Sequence, residues 1–232
     1  MSAKRKTVGV IGGMGPEATV DFLRRIVAAT PAHDDADHIH ILVDNNPQIP
    51  SRIAALIEGR GKDPGPVLCA MAKGLEKQGA DFLVMPCNTA HYYLPQIGGA
   101  VDIPILDMIT LSIAQIAALL PERGRVGMLA SPAVQRVGLY ETRLREAGLE
   151  AVFPDVRGEE KLLGVIRTVK SGGISHNHHR EYAEVADSIS AADAMLIACT
   201  ELSVLGPPRG GSRPFVDALD VLVNATIEEA RG

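Results

Sequence analysis

The chain has 232 residues, 46% of them apolar, and a formal net charge of −5. That is enough apolar material for one large α/β domain or two small ones, and the mild acidic excess argues against nucleic acid or an anionic membrane as partner. Tryptophan is absent and aromatics make up 3%, so the core has to come from Val, Ile, Leu, Ala and Met, which suits a parallel sheet covered by helices.

The opening residues Lys4-Arg5-Lys6 are basic, but the apolar run behind them stops at Gly12-Gly13, too soon for a signal peptide. No apolar stretch is long enough to span a bilayer. Three widely spaced cysteines do not form a disulfide framework and fit reduced thiols. The expectation is a cytoplasmic protein.

In chain order, residues 8–11 read as a first strand, followed by a glycine turn and a helix over 16–29 with Pro16 in its first turn. Residues 39–43 read as a second strand, 66–78 as a helix closed by Gly79, 81–85 as a third strand and 105–107 as a short fourth. Residues 110–120 form an apolar helix. Then the pattern restarts. Val126-Gly127-Met128-Leu129-Ala130-Ser131 echoes Val8-Gly9-Val10-Ile11-Gly12-Gly13 from 118 positions earlier. A helix over 133–147, a strand over 150–153, helices over 159–170 and 177–188, and a strand over 195–198 follow, with a final helix over 216–231. The loop 206–211, rich in Gly and Pro, reads as a crossing between the halves. This alternation predicts an α/β fold of two pseudosymmetric, doubly wound parallel-sheet domains. Residues 1–107 form the first, with 214–232 packing back on it; residues 108–213 form the second.

Ligands of open parallel sheets sit beyond the carboxyl ends of strands. Gly12-Gly13, Cys87, Ser131 and Cys199 all fall at such ends, and Cys199 follows Cys87 by 112 positions. If the halves face each other, both thiols look into one cleft. Cys87 precedes Asn88-Thr89 and Cys199 precedes Thr200, each expected to open a helix whose N–H groups favour a thiolate. A thiolate on one face and a thiol on the other can exchange a carbon-bound proton with inversion. The alternative use, nucleophilic attack, usually wants a histidine; His91 is one turn past Cys87, whereas the second motif has Glu201. A cysteine alone is more often a small core residue, and Cys69, inside the apolar helix, is read that way.

Gly12-Gly13-Met14-Gly15-Pro16, Asn46-Pro47-Gln48-Ile49-Pro50-Ser51-Arg52, Pro86-Cys87-Asn88-Thr89-Ala90-His91 and Cys199-Thr200-Glu201-Leu202 together resemble the aspartate/glutamate racemase family, most closely its aspartate racemase branch. The resemblance covers nearly the whole chain. It implies two pseudosymmetric α/β domains with the site in the cleft between them, a homodimer, and racemisation of a small dicarboxylic amino acid by two cysteines without a cofactor. Carried over by position, Cys87 and Cys199 are the catalytic pair. Arg52 would bind one substrate carboxylate and Lys170 the other. Asn88, Thr89 and Thr200 would hold the α-carboxylate, and Met14 would line the cleft wall. Three positions depart from the family pattern. Ser51 stands where Asp usually precedes the arginine. Ser131-Pro132-Ala133-Val134 replaces Thr-x-Gly-Thr. Ile166 stands where some members carry tyrosine. The Asp-Ser-Gly start and Cys-Thr-His motif of cell-wall glutamate racemases are missing. The expected activity is therefore aspartate racemisation, with glutamate second.

Two alternatives stay open. The same fold and thiol pair serve maleate isomerisation, hydantoin racemisation or arylmalonate decarboxylation in related enzymes. From another class, Gly13-Met14-Gly15-Pro16-Glu17-Ala18 fits a loose dinucleotide fingerprint, although Pro16 removes an N–H and Asp44 lies 29 residues past Gly15 rather than about 20. His176, His178 and His179 have no Cys or carboxylate at ligand spacing and read as a solvated loop or helix start. Asp34, Asp35 and Asp37 read as a solvated loop.

Overall fold

A computed structural model describes residues 5–208 and 213–232. The chain divides into two compact units, one made of residues up to Met108 together with Leu219–Gly232, the other of Ile109–Ala218. Residues 209–211 of the Gly/Pro loop lie outside the described residues.

In the first unit the elements are β1 (Val8–Gly12), α1 (Pro16–Ala29), β2 (Ile41–Asn45), α2 (Arg52–Leu56), α3 (Gly65–Lys77), β3 (Phe82–Val84) and α4 (Leu94–Gly98). The strands run parallel in the order β2-β1-β3, with Val8 opposite both Ile41 and Phe82. β1 and β3 are wholly buried, as their unbroken apolar runs require of strands covered on both faces. The expected strand at 105–107 is reduced to one bridge between Leu83 and Ile105, held by Leu83 N–H to the Pro104 carbonyl at 2.8 Å and Leu106 N–H to the Leu83 carbonyl at 2.9 Å.

The second unit contains α5 (Met108–Ala117, from Ile109 on), β4 (Arg125–Ala130), α6 (Pro132–Arg136), α7 (Glu141–Glu146), β5 (Glu150–Val152), α8 (Val156–Lys170), α9 (His176–Ser188), β6 (Ala194–Ala198), α10 (Thr200–Leu205) and β7 (Phe215–Asp217). Its sheet is parallel, in the order β5-β4-β6-β7. The three-strand core repeats the first unit: the first strand is central, the second flanks one side and the third the other. Two expectations are corrected. The helix over 133–147 is two short helices. Gly138 takes φ +62°, and Leu139 N–H turns back to the Val134 carbonyl at 3.1 Å, a left-handed closure that ends α6. The tail is not helical from 216: Phe215–Asp217 adds an edge strand to β6, and α11 (Ala218–Arg231) begins only after it.

α11 buries Leu219, Leu222, Val223, Thr226 and Ala230, a helical stripe. It is tied to the first unit by Arg25 Nη1 to Asp220 Oδ1 at 2.6 Å, by Lys6 N–H to the Ala230 carbonyl at 2.9 Å, by the Lys6–Glu229 ion pair and by Arg231 to the Pro31 carbonyl at 3.1 Å. Among the described residues no helix is long and apolar enough to cross a membrane.

Candidate active site

In the first unit the glycine turn after β1 is a packing joint. Gly13 has φ +92°, and a Cβ there would lie 2.2 Å from the Asn46 carbonyl oxygen, so only glycine fits. Its N–H donates to Thr19 Oγ1 at 2.9 Å, and that hydroxyl donates to the Gly15 carbonyl at 3.1 Å. With the Gly13 amide engaged and Pro16 lacking one, the turn is short of the donors a pyrophosphate needs. Met14 is buried in the same apolar cluster as Ile49, Met71 and Cys87.

Ser51 caps α2, its Oγ accepting the Ala54 N–H at 3.3 Å. Aspartate at this position would do the same job, so the departure keeps the cap. Arg52 follows as the first residue of α2, half-buried, its Nη1 donating to the carbonyls of Pro50 at 3.0 Å and Ile49 at 3.4 Å. Arg52 also faces Tyr93, whose hydroxyl is pushed upward in pKa by burial first and then by Asp63 and Tyr92, with Arg52 opposing.

Cys87 lies three residues past β3 and is 6% exposed. Its N–H donates to the Met85 carbonyl at 2.8 Å. Asn88, also buried, leads into a 3-10 turn over Thr89–Tyr93 rather than the expected helix. His91 is not placed as a base for the thiol. Its ring bridges backbone groups, Nδ1 at 2.9 Å from the Cys87 carbonyl oxygen and Nε2 at 3.2 Å from the Met108 nitrogen.

In the second unit β4 and β6 run in register to Ala130 and Ala198, so Ser131 and Cys199 are the next residues on neighbouring strands. Ser131 occupies the N-cap position of α6 and Cys199 that of α10; both are buried, Cys199 at 6% exposure. The Cys199 sulfur donates to Glu201 Oε2 at 3.2 Å, and Glu201 Oε1 lies 3.1 Å from Lys170 Nζ at the end of α8. Thr200, first residue of α10, is buried beside them. The surroundings of the sulfur oppose a thiolate at this position. Burial pushes the Cys199 thiol well up, the Glu201 charge and hydrogen bond push it further, and Lys170 and the Glu201 backbone N–H only partly oppose them. Tyr182 of α9 is equally buried, its hydroxyl without a hydrogen-bond partner among the described residues, and its phenol is raised by burial, by Asp217 and by Cys199. Ile166 is a core residue of this unit, packed with Tyr182 and Cys199 in one apolar cluster.

Sequence reasoning missed the hydrogen-bond partner of the Cys199 thiol. Glu201 was in view as part of the motif, but its burial and its ion pair with Lys170 depend on α8 meeting α10. Tyr182 shares its helical face with Val185, Ala186 and Ile189, and its burial beside Cys199 depends on tertiary packing. His178 is used locally, in a capping box with Ser175 at the start of α9.

A family model described as Asp/Glu/Hydantoin racemase matches residues 11–226. The chain belongs to that family. Aspartate racemase of Picrophilus torridus is similar in structure, with a TM-score of 0.84, 30% identity, and coverage of 97% of this chain and 94% of that one. Broad specificity amino-acid racemase RacX of Bacillus subtilis (strain 168) is 25% identical over 228 residues, 95% of this chain and 96% of the relative. Glutamate racemase of Francisella tularensis subsp. tularensis SCHU S4, solved with D-glutamate, shares the fold at a TM-score of 0.68 and 17% identity, covering 97% of this chain and 80% of that one. As a member of the Asp/Glu/Hydantoin racemase family, the protein stands among the amino-acid racemases, which are isomerases.

Proposed function

We propose that this protein inverts the α-carbon of aspartate, with glutamate second, by proton transfer through Cys87 and Cys199 and without a cofactor. One observation carries the reading. The two halves repeat the same three-strand order, and each sets a nearly buried cysteine just beyond the carboxyl end of its third strand. In the reaction one thiolate removes the α-proton while the opposite thiol delivers a proton to the other face. The C–H bond breaks to form S–H on one side, S–H breaks to form C–H on the other, and the electron pair stays on the substrate in between. Negative charge builds on the α-carboxylate and has to be met by fixed donors. Asn88 and Thr89 on one side, and Thr200 and Ser131 on the other, are the neutral candidates; Arg52 and Lys170 supply positive charge. The likeness to a broad-specificity relative supports a substrate panel wider than the two acidic amino acids.

The test is incubation of each enantiomer of aspartate, glutamate and a set of neutral and basic amino acids in deuterated water, followed by circular dichroism and loss of the α-proton signal. Inversion with exchange is expected for aspartate from either enantiomer, and Cys87→Ala and Cys199→Ala should each abolish inversion. Inversion that survives loss of either thiol, or no inversion of any amino acid, overturns the reading.

A further inference from the structure

The two units repeat each other beyond the thiols. Pro104-Ile105-Leu106-Asp107 and Pro214-Phe215-Val216-Asp217 stand 110 positions apart. The Pro104 carbonyl accepts the Leu83 N–H of β3 at 2.8 Å, and the Pro214 carbonyl accepts the Met195 N–H of β6 at 2.9 Å. Leu83 pairs in parallel with Ile105, and Met195 with Phe215. Each segment then opens the helix at which the chain changes unit. α5 starts at Met108, where the first unit breaks off, and α11 starts at Ala218, the last residue of the second. The residue four past each cysteine reaches this segment, and both such residues are buried. In the first unit His91 Nδ1 meets the Cys87 carbonyl oxygen at 2.9 Å, and its Nε2 meets the Met108 nitrogen at 3.2 Å. In the second unit Ser203 N–H donates to the Cys199 carbonyl at 3.1 Å, and Ser203 Oγ donates to Asp217 Oδ1 at 2.6 Å. That oxygen also lies 3.4 Å from the Cys199 carbonyl oxygen, the common back-contact of a helical serine, but its one hydrogen goes to the nearer carboxylate. A histidine and a serine thus make the same join at equivalent places.

We propose that His91 and Ser203 are equivalent positioning residues, each latching the turn of its thiol to the segment through which the chain leaves that unit. Neither acts on the reacting carbon. Each fixes the carbonyl of its own cysteine and ties that turn to the start of α5 or α11. The need for such a tie is plainest in the first unit, where β3 ends at Val84 and Cys87 lies three residues beyond it, past the reach of ladder hydrogen bonds. Proton transfer between sulfur and carbon tolerates little misplacement, and a buried polar bridge holds a turn where sheet pairing has stopped. The latch has a second effect. A shift at the start of α5 is passed to the Cys87 turn, and a shift at the start of α11 to the Cys199 turn.

The proposal rests on the two-thiol reading above for its effect on rate, but its first test needs no substrate. Hydrogen–deuterium exchange of the full chain is followed by mass spectrometry, peptide by peptide. Ser203→Ala should speed exchange in two separate stretches, 199–203 and 217–221, by about tenfold beyond any change in β4. His91→Ala should do the same to 87–91 and 108–112, measured against β1. A contact that served only its own turn would loosen the first stretch of each pair alone, and a general loss of stability would speed the strands equally; either result overturns the proposal. Asp217→Ala should loosen the same stretches as Ser203→Ala, and combining the two should add little, since one bridge is being cut twice; additive effects overturn it. With aspartate as substrate, Ser203→Ala and His91→Ala should lower kcat and leave KM near the parent value, and an unchanged kcat in both overturns the positioning role. Should one variant fail to fold, the other unit carries the test alone. Paired loosening without racemisation leaves the latches and removes the reaction; racemisation without paired loosening removes the latches and leaves the reaction.

Discussion

His91 folds back onto the residue it follows by one turn: its Nδ1 lies 2.9 Å from the Cys87 carbonyl oxygen. Since Nε2 meets the Met108 nitrogen, which can only donate, Nε2 is the acceptor and Nδ1 carries the hydrogen. The imidazole is a clamp on the main chain that holds the Cys87 turn. His91→Ala leaves two buried backbone groups to find new partners and should lower stability by about 1–3 kcal/mol, measured by urea denaturation. The acidic limb of the rate–pH profile should stay where it is; a shift of that limb would make His91 an acid–base group after all.

Two glycine-to-alanine changes should have opposite signs. At Gly13 the added Cβ meets the Asn46 backbone and the positive φ is strained, so Gly13→Ala should cost at least about 2 kcal/mol and depress activity. At Gly74, inside α3, an added Cβ meets nothing within 4 Å, so Gly74→Ala should add about 0.5–1 kcal/mol. Chemical denaturation of the two variants beside the parent checks both.

The protein should lose stability in alkali. Cys199 and Tyr182 both have folded pKa values raised above their ordinary values, chiefly by burial. A group raised on folding contributes stability that is full below its unfolded pKa and is lost as pH climbs through the folded one. With unfolded values of about 8.5 for a thiol and about 10 for a phenol, melting temperature should decline from about pH 8.5 upward. Cys199→Ser, which cannot titrate there, should flatten the first part of that decline. An equally steep decline in the variant would mean that Cys199 is not its source.

Asp21 is buried between Arg24 and Arg25, with Oδ2 2.8 Å from Arg25, and Arg25 continues to Asp220 at 2.6 Å. The cluster joins α1 to α11. Asp21→Ala removes the buried member and should cost about 1–3 kcal/mol, whereas Asp220→Ala, on the exposed side, should cost about 0–1 kcal/mol. Thermal melts of both variants at low and high salt separate the two, since only the exposed pair is screened.

The fully buried strands are the plainest in the sequence. Val8–Gly12 and Ala194–Ala198 are apolar from end to end because helices cover both faces, and an unbroken apolar run needs no tertiary information to be seen. Phe215–Asp217 escaped because three residues with Asp at the end carry no such run; its partner Met195 defines it. The break at Gly138 escaped because one glycine in a helical pattern is tolerable locally, and the turn back to Val134 decides the matter. At the site, the two thiols were visible from their places at strand ends. The Glu201–Lys170 pair was not, since 31 positions separate the two residues and the ends of two helices must meet to form it.

The first unit is interrupted, with Leu219–Gly232 completing what residues up to Met108 begin. On the ribosome, the opening stretch therefore waits for about half the polypeptide before its last helix emerges, while Ile109–Ala218 can collapse as an uninterrupted segment. Nascent chains stalled before Leu219 should expose the apolar surface that α11 covers. Premature stop codons near the end should therefore harm the amino-terminal unit first.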